Sequence, residues 1–347
     1  MDKKKFSYAL ITMLMVISAC SNKEEARPVK NEETVQQEEK PVTAEEEEVS
    51  VYPLTGLEAE GELNQRPVAV MINNHPTARP QSGLHKADIV YEVLAEGSIT
   101  RFLAVFQSEI PDTIGPVRSA RDYYIDLSEG FDALFISHGW SPDAQEKLES
   151  GEADYLNGLF YDGTLFWRAD HRKAPHNSYI SYENILKGAK SNKYETTADV
   201  EPLAFLSEEE VVNLKGEPAS KFVIKYDKSE TWNVTYEYNQ TKQSYSRFSD
   251  NEQTVDLESE EPIQLTNVFV VEMEHTFIDS YGRRSIDLTS GGKAILFQNG
   301  QMKEVKWENR NGRILPVKDG EVLKLVPGKT WVNIVPNIED AFVIQTQ

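Results

Sequence analysis

The sequence predicts an α/β (mixed α+β) domain over residues 51–200, followed by a smaller, mostly antiparallel β-rich domain over residues 205–347. Three observations carry this reading. In the first segment, short continuous apolar runs such as Val68-Ala69-Val70-Met71-Ile72 alternate with stretches whose apolar residues recur at helical spacing, the pattern of buried strands between helices. Beyond Phe205 the helical spacing fades and strand-like runs follow one another, with Asn299-Gly300 between two of them, a strong two-residue hairpin signal. Between the segments, Asn192 to Pro202 is polar and reads as a linker.

The N-terminus belongs to neither domain. Lys3, Lys4 and Lys5 precede an apolar run from Phe6 to Ile17, which Ile17-Ser18-Ala19-Cys20 closes. A basic start and a short apolar run make residues 1–19 a secretory signal peptide, too short for a permanent membrane span. The four closing residues resemble the lipobox of bacterial lipoproteins, which implies that Cys20 becomes the lipidated N-terminus and anchors the protein to the outer face of the cytoplasmic membrane. Cys20 is the only cysteine. With it acylated, no intrachain disulfide, zinc-thiolate site or cysteine nucleophile remains. Residues 20–50 follow as a tether, with ten acids against four bases from Ser21 to Ser50, a composition that cannot bury a core.

The chain of 347 residues is 39% hydrophobic, enough for two cores, and carries a formal charge of −21. That acidity argues against nucleic acid and against unspecific attraction to anionic lipid or wall polymer. An anionic ligand therefore requires a local basic pocket.

Taken in order, the strand from Val68 ends at Asn73-Asn74-His75-Pro76, and a loop holding Arg79 continues to Leu84. Polar residues just past a buried strand are frequent ligand positions, though turn chemistry explains them equally. Asp88 to Ala95 and Ile99 to Phe106 form a hairpin around Glu96-Gly97-Ser98, and Glu92, Glu96 and Arg101 near its turn are a site rim or a surface ion pair. In Gly115 to Tyr124, Ser119 is positioned as an N-cap with Asp122 three residues on, and Ala120, Tyr123, Tyr124, Leu127 and Phe131 fall on one helical face. Arginine at a helix start opposes the helix dipole. Arg118 and Arg121 therefore either converge on an anion or pair with carboxylates.

Asp132 to Ser137 is the next buried strand and delivers His138 just before Ser141-Pro142-Asp143 opens a helix. Tyr155 to Tyr179 mixes aromatics with Arg168, His171, Arg172, His176 and Asn177 without periodicity, suggesting a covering loop for a glycan or peptide ligand, or a loop stapled to the core. Ser181 caps a helix to about Ser191. The second segment has strands at Phe222 to Tyr226, Trp232 to Asn239, Ser244 to Ser249, Asn267 to Phe277, Ala294 to Gln298, Met302 to Trp307 and Trp331 to Val335.

Several chemistries fail on their motifs. There is no G-x-S-x-G elbow, zinc-binding H-E-x-x-H or dinucleotide G-x-G-x-x-G. Gly328-Lys329-Thr330 lacks the first glycine of a phosphate loop, where Leu323 stands. Ser290-Gly291-Gly292-Lys293 lies between strands where a penicillin-binding motif needs a helix start. His171 and His176 lack a third ligand, so no metal is expected.

Arg79-Pro80-Gln81-Ser82-Gly83-Leu84, Ala87-Asp88-Ile89-Val90-Tyr91-Glu92, Thr100-Arg101-Phe102, the Gly115 to Tyr124 stretch, His176-Asn177 and Pro327-Gly328-Lys329-Thr330-Trp331 together resemble the YerB-like family of lipoproteins from Gram-positive bacteria. The resemblance covers nearly everything after the tether. It implies a lipid anchor and two domains, and brings no activity, cofactor or catalytic residue with it.

The expected function is that of a membrane-anchored extracytoplasmic module binding an anionic or glycan-like envelope ligand through Arg79, Arg101, Arg118, Arg121 and His138. A cell-envelope hydrolase or lyase is the alternative, with His138 or His176 as acid or base and Asp122 and Asn177 beside it. A third reading is a lipoprotein that contacts and regulates wall enzymes. No cofactor and no nucleic-acid partner is expected.

Overall fold

The computed structural model describes residues 49–345, so the expected signal peptide, Cys20 and nearly all of the tether lie outside the described residues. Helix accounts for 16% and strand for 42%, a mixed fold in which sheet dominates. Among the described residues no helix is long and apolar enough to cross a membrane.

The central feature is one twelve-stranded sheet. Strands Tyr155–Asn157, Leu134–Ser137, Val68–Asn73, Ile99–Phe106 and Ile89–Glu96 form one side of it, in that order. Next to Ile89–Glu96 lies Thr330–Val335, and the sheet continues through Asn267–Glu272, Gly292–Gln298, Gln301–Arg310 and Arg313–Lys318. Val68 to Ile72 is continuously apolar because both faces of its strand are covered. Val68, Val70 and Ile72 join one core and Ala69 and Met71 the other.

On the first face sits a second, six-stranded sheet built around Lys221–Lys225, Asn233–Asn239 and Ser244–Ser249. Phe222 from it stacks on Phe297 at 3.7 Å. The opposite face packs against the helices Asp122–Glu129 and Pro142–Glu149, the latter capped by Ser141 as its sequence demands.

The boundary near residues 200–205 therefore divides the chain without dividing the sheet. Thr330–Val335 of the second segment pairs in parallel with Ile89–Val93 of the first and also with Asn267–Glu272. Residues Glu48–Gln347 form one compact unit. The two expected domains are thus two segments that share one sheet, with Trp331 to Val335 fully buried at its centre.

Three local expectations change. The helix expected from Ser119 starts at Asp122, with Arg121 as its N-cap and no side-chain cap. Arg118 to Ala120 are extended instead, Arg118 N–H bonding Met71 O and Ala120 N–H bonding Gly139 O. Residues 155–179 are not one loop but carry short strands and a helical turn, Gly158–Tyr161. The long strand expected from Asn267 stops at Glu272 and resumes as His275–Phe277 in a separate hairpin with Arg284–Ile286.

Candidate functional site

The parallel neighbours Val68–Asn73 and Leu134–Ser137 end side by side and deliver Asn73, His75 and His138 to one end of the sheet. Asn73 sets the geometry. Its Oδ1 accepts the His75 backbone N–H at 3.0 Å, so its amide nitrogen is the group facing His176 Nδ1 at 2.7 Å. Asn73 therefore donates, His176 Nδ1 accepts, and the neutral ring carries its proton on Nε2. His75 reaches the same state by another route, its Nδ1 accepting the Thr77 backbone N–H at 3.3 Å. The two rings stack at 4.8 Å, each with an Nε2–H donor that has no protein partner among the described residues.

Arg118 lies beside this pair. Its Nη1 donates to the Pro175 carbonyl at 2.9 Å, and its Nε is buried with no partner. No carboxylate lies within ion-pair distance of it among the described residues. Burial and the neighbouring Arg101 pull its guanidinium down to about 10, which leaves it charged at neutral pH. Burial, Arg79 and Arg118 push His75 below its usual value; burial, His75, Arg118 and Arg172 do the same to His176.

The loops around them are pinned by further cations. Arg79 donates from Nε to Asn74 Oδ1 at 3.0 Å and from Nη2 to Asn74 O at 2.9 Å. Arg172 crosses to the carbonyls of Thr77, at 2.8 Å, and Pro80. In a chain of charge −21, this is a local concentration of positive charge.

The other expected site residues are placed differently. Arg101 and Arg121 both face Glu96, Arg101 at 2.7 Å, so these two form an ion-paired set. His138 has both nitrogens engaged. Arg168 Nη2 can only donate, so His138 Nε2 accepts at 2.8 Å, and Nδ1 then donates to Ser178 Oγ at 2.7 Å. Arg168 is held in turn by Asp162 at 2.8 Å, which makes His138 a positioning group. Gly158 permits this packing, since a Cβ there would lie 2.1 Å from His138 Nδ1. Asn177 Oδ1 faces Arg168 Nη1 at 3.4 Å. Asp122 sits at the helix start with its carboxyl raised by burial, and among the described residues it bonds neither histidine. Also among the described residues, no group of three or more His, Cys, Asp or Glu side chains is arranged to hold a metal.

Asn73, His75 and Arg118 meet only because the sheet brings together strand ends far apart in sequence. The polar run after the buried strand is the one sequence signal that marked the first two. Glu92, expected at a rim or surface, is instead fully buried in a closed network. Its Oε2 accepts from Arg247 Nη2 at 2.8 Å and Trp331 Nε1 at 3.0 Å, and its Oε1 from Asn74 Nδ2 at 3.1 Å and Thr100 Oγ1 at 3.0 Å. Both partners of this ion pair are essentially inaccessible, at 1% and 0% exposure.

Comparison with known proteins places this geometry in a family. YerB of Bacillus subtilis (strain 168), by name a candidate lipoprotein, is 53% identical over 297 residues, covering 84% of this chain and 88% of the relative. The crystal structure of the B. subtilis YerB protein superposes with a TM-score of 0.81 at 52% identity, covering 86% of this chain and all of that one. Residues 54–195 match the N-terminal domain, and residues 222–332 the C-terminal domain, of the family described as Protein of unknown function (DUF3048). The ion pair Glu92–Arg247 thus joins the two matched segments, and the chain belongs to the DUF3048 family.

Proposed function

We propose that this protein is a lipoprotein on the outer face of the cytoplasmic membrane that captures an anionic ligand of the cell envelope at Arg118, His75 and His176. The lipoprotein part rests on the Ile17-Ser18-Ala19-Cys20 boundary and on the name of the B. subtilis relative. One observation carries the ligand part: Arg118 is half-buried and charged, with an unpartnered Nε and no carboxylate beside it among the described residues. Burial of a cation without a counter-ion is unfavourable unless something else supplies the negative charge. Two imidazole N–H donors beside it supply the directed hydrogen bonds that an oxyanion needs.

The hydrolase or lyase reading has less support. His138 has no free nitrogen for proton transfer, and His176 is oriented by an amide rather than a carboxylate. The protein-contact reading keeps one supporting feature, the His275–Phe277 hairpin, where Phe277 is 60% and Tyr281 79% exposed.

Calorimetry on the purified chain from Ser21 onward, titrated with inorganic phosphate, teichoic acid fragments and muropeptides, tests the proposal. Binding of at least one of them is expected, and Arg118→Ala is expected to abolish it. Undiminished binding by a folded Arg118→Ala protein would refute the assignment of the site.

A further inference from the structure

A bare oxyanion would be satisfied by Arg118 and the two imidazole donors, yet the site has one more wall. Trp232, on the short turn Glu230–Trp232 of the second segment, places its ring edge-on to His75 with centroids 6.5 Å apart. Trp232, His75 and His176 thus form a run of three adjacent rings, all of them half-buried, beside the Arg118 charge. The indole N–H of Trp232 has no acceptor among the described residues, in contrast to Trp307 and Trp331, whose indoles donate to Glu272 O at 2.7 Å and Glu92 at 3.0 Å.

Resting on the anion-site reading above, we infer that the ligand is a saccharide bearing an acidic group, phosphate or carboxylate. The acid meets Arg118 and the two Nε2–H donors, and the sugar ring lies along the Trp232–His75 wall. The chemistry fits at each contact. The polarised C–H face of a pyranose suits the electron-rich face of an aromatic ring, and an amphipathic indole offers its N–H to a hydroxyl.

Calorimetry with three probes, inorganic phosphate, N-acetylglucosamine 1-phosphate and phenyl phosphate, separates the claims. Wild-type protein is expected to bind the sugar phosphate about tenfold more tightly than inorganic phosphate, a factor equal to about 1.4 kcal/mol. Trp232→Ala is expected to remove that margin and leave inorganic phosphate binding unchanged, which also shows that the variant is folded. Trp232→Phe keeps part of the margin, and Arg118→Ala loses both ligands. Equal binding of phosphate and sugar phosphate by the wild type overturns the saccharide inference while the anion site stands. Tighter binding of phenyl phosphate than of the sugar phosphate likewise overturns the saccharide class. Failure of every probe to bind, or phosphate binding that survives Arg118→Ala, overturns both readings.

Discussion

Two arginine clusters at the same end of the sheet differ in a way that separates structure from function. Around Glu92 the charges are matched, although Arg247 Nε is buried without a partner: Arg247 pairs with the carboxylate, Trp331 and Asn74 donate further hydrogen bonds to it, and Arg247 also lies over the Trp331 ring at 4.7 Å. Burial disfavours the Arg247 charge, but Glu92 together with Tyr236 and Tyr226 offsets this and holds it above its usual value. On the separate segment that precedes the helix Asp122–Glu129, Arg118 has one carbonyl partner among the described residues and an unpartnered Nε, and the histidines beside it are pushed below their usual values. The first cluster is ion-paired and joins two segments of chain; the second has no carboxylate within ion-pair distance among the described residues, which is what the proposed anion site rests on. Arginine content alone does not distinguish them. The position of the nearest carboxylate does.

The largest effect that would break this contrast is expected at the ion-paired cluster. Arg247→Met leaves Glu92 buried and unpaired, and should lower the unfolding free energy in urea by about 3–5 kcal/mol. The double variant Glu92→Leu, Arg247→Met should recover most of that loss, since the penalty comes from the stranded charge. A single variant as stable as the wild type would show that the pair does not hold the segments together.

A middle-sized effect is expected at the positioning histidine. Gly158→Ala forces a methyl group into the space of the His138 ring and should cost about 1–3 kcal/mol in thermal or urea unfolding. Phosphate affinity in the same variant reports how far the disturbance reaches Arg118, whose carbonyl accepts the His138 backbone N–H at 2.9 Å. At the second cluster, Arg118→Ala should alter stability by no more than about 1 kcal/mol in either direction while removing ligand binding. A stability loss as large as that of Arg247→Met would make Arg118 a structural arginine.

The smallest effect is pH dependence. His75, His138 and His176 are all depressed, and burial takes His275 down to about 4. As pH falls below about 6.5, the unfolded chain takes up protons that the folded protein refuses, so stability is lost from that point down through the folded-state values. An anion at the site raises the values of His75 and His176 and opposes the loss. Urea melts at about pH 7.5 and about pH 5.5, with and without phosphate, should therefore show greater protection by phosphate at the lower pH. Equal protection at both would separate the histidines from the ligand.

Much of the fold was legible because its signals are local. The apolar run at Val68, the hairpin around Glu96-Gly97-Ser98, the Ser141 and Ser181 caps and the Asn299-Gly300 turn each depend on residues within reach of one another along the chain. The helix start at Ser119 misled because Ala120 bonds Gly139, a partner its own neighbourhood does not reveal. The candidate site was half legible. Arg118 and His176 could be singled out by type and setting, while Arg121 looked the same as Arg118 until Glu96 was found against it.

The amino-acid sequence by itself determined most strands and turns, the Ser141 and Ser181 caps, the mixed class and the acidic balance, because periodicity, propensity and charge are properties of neighbouring residues. The tertiary structure alone decided that Thr330–Val335 would join the two segments in one sheet, that Glu92 would be buried against Arg247, and that Arg118 would have no carboxylate within ion-pair distance among the described residues. Those outcomes depend on which strand ends meet across large sequence separations, and on the presence or absence of a carboxylate there, so only the packed fold contains them.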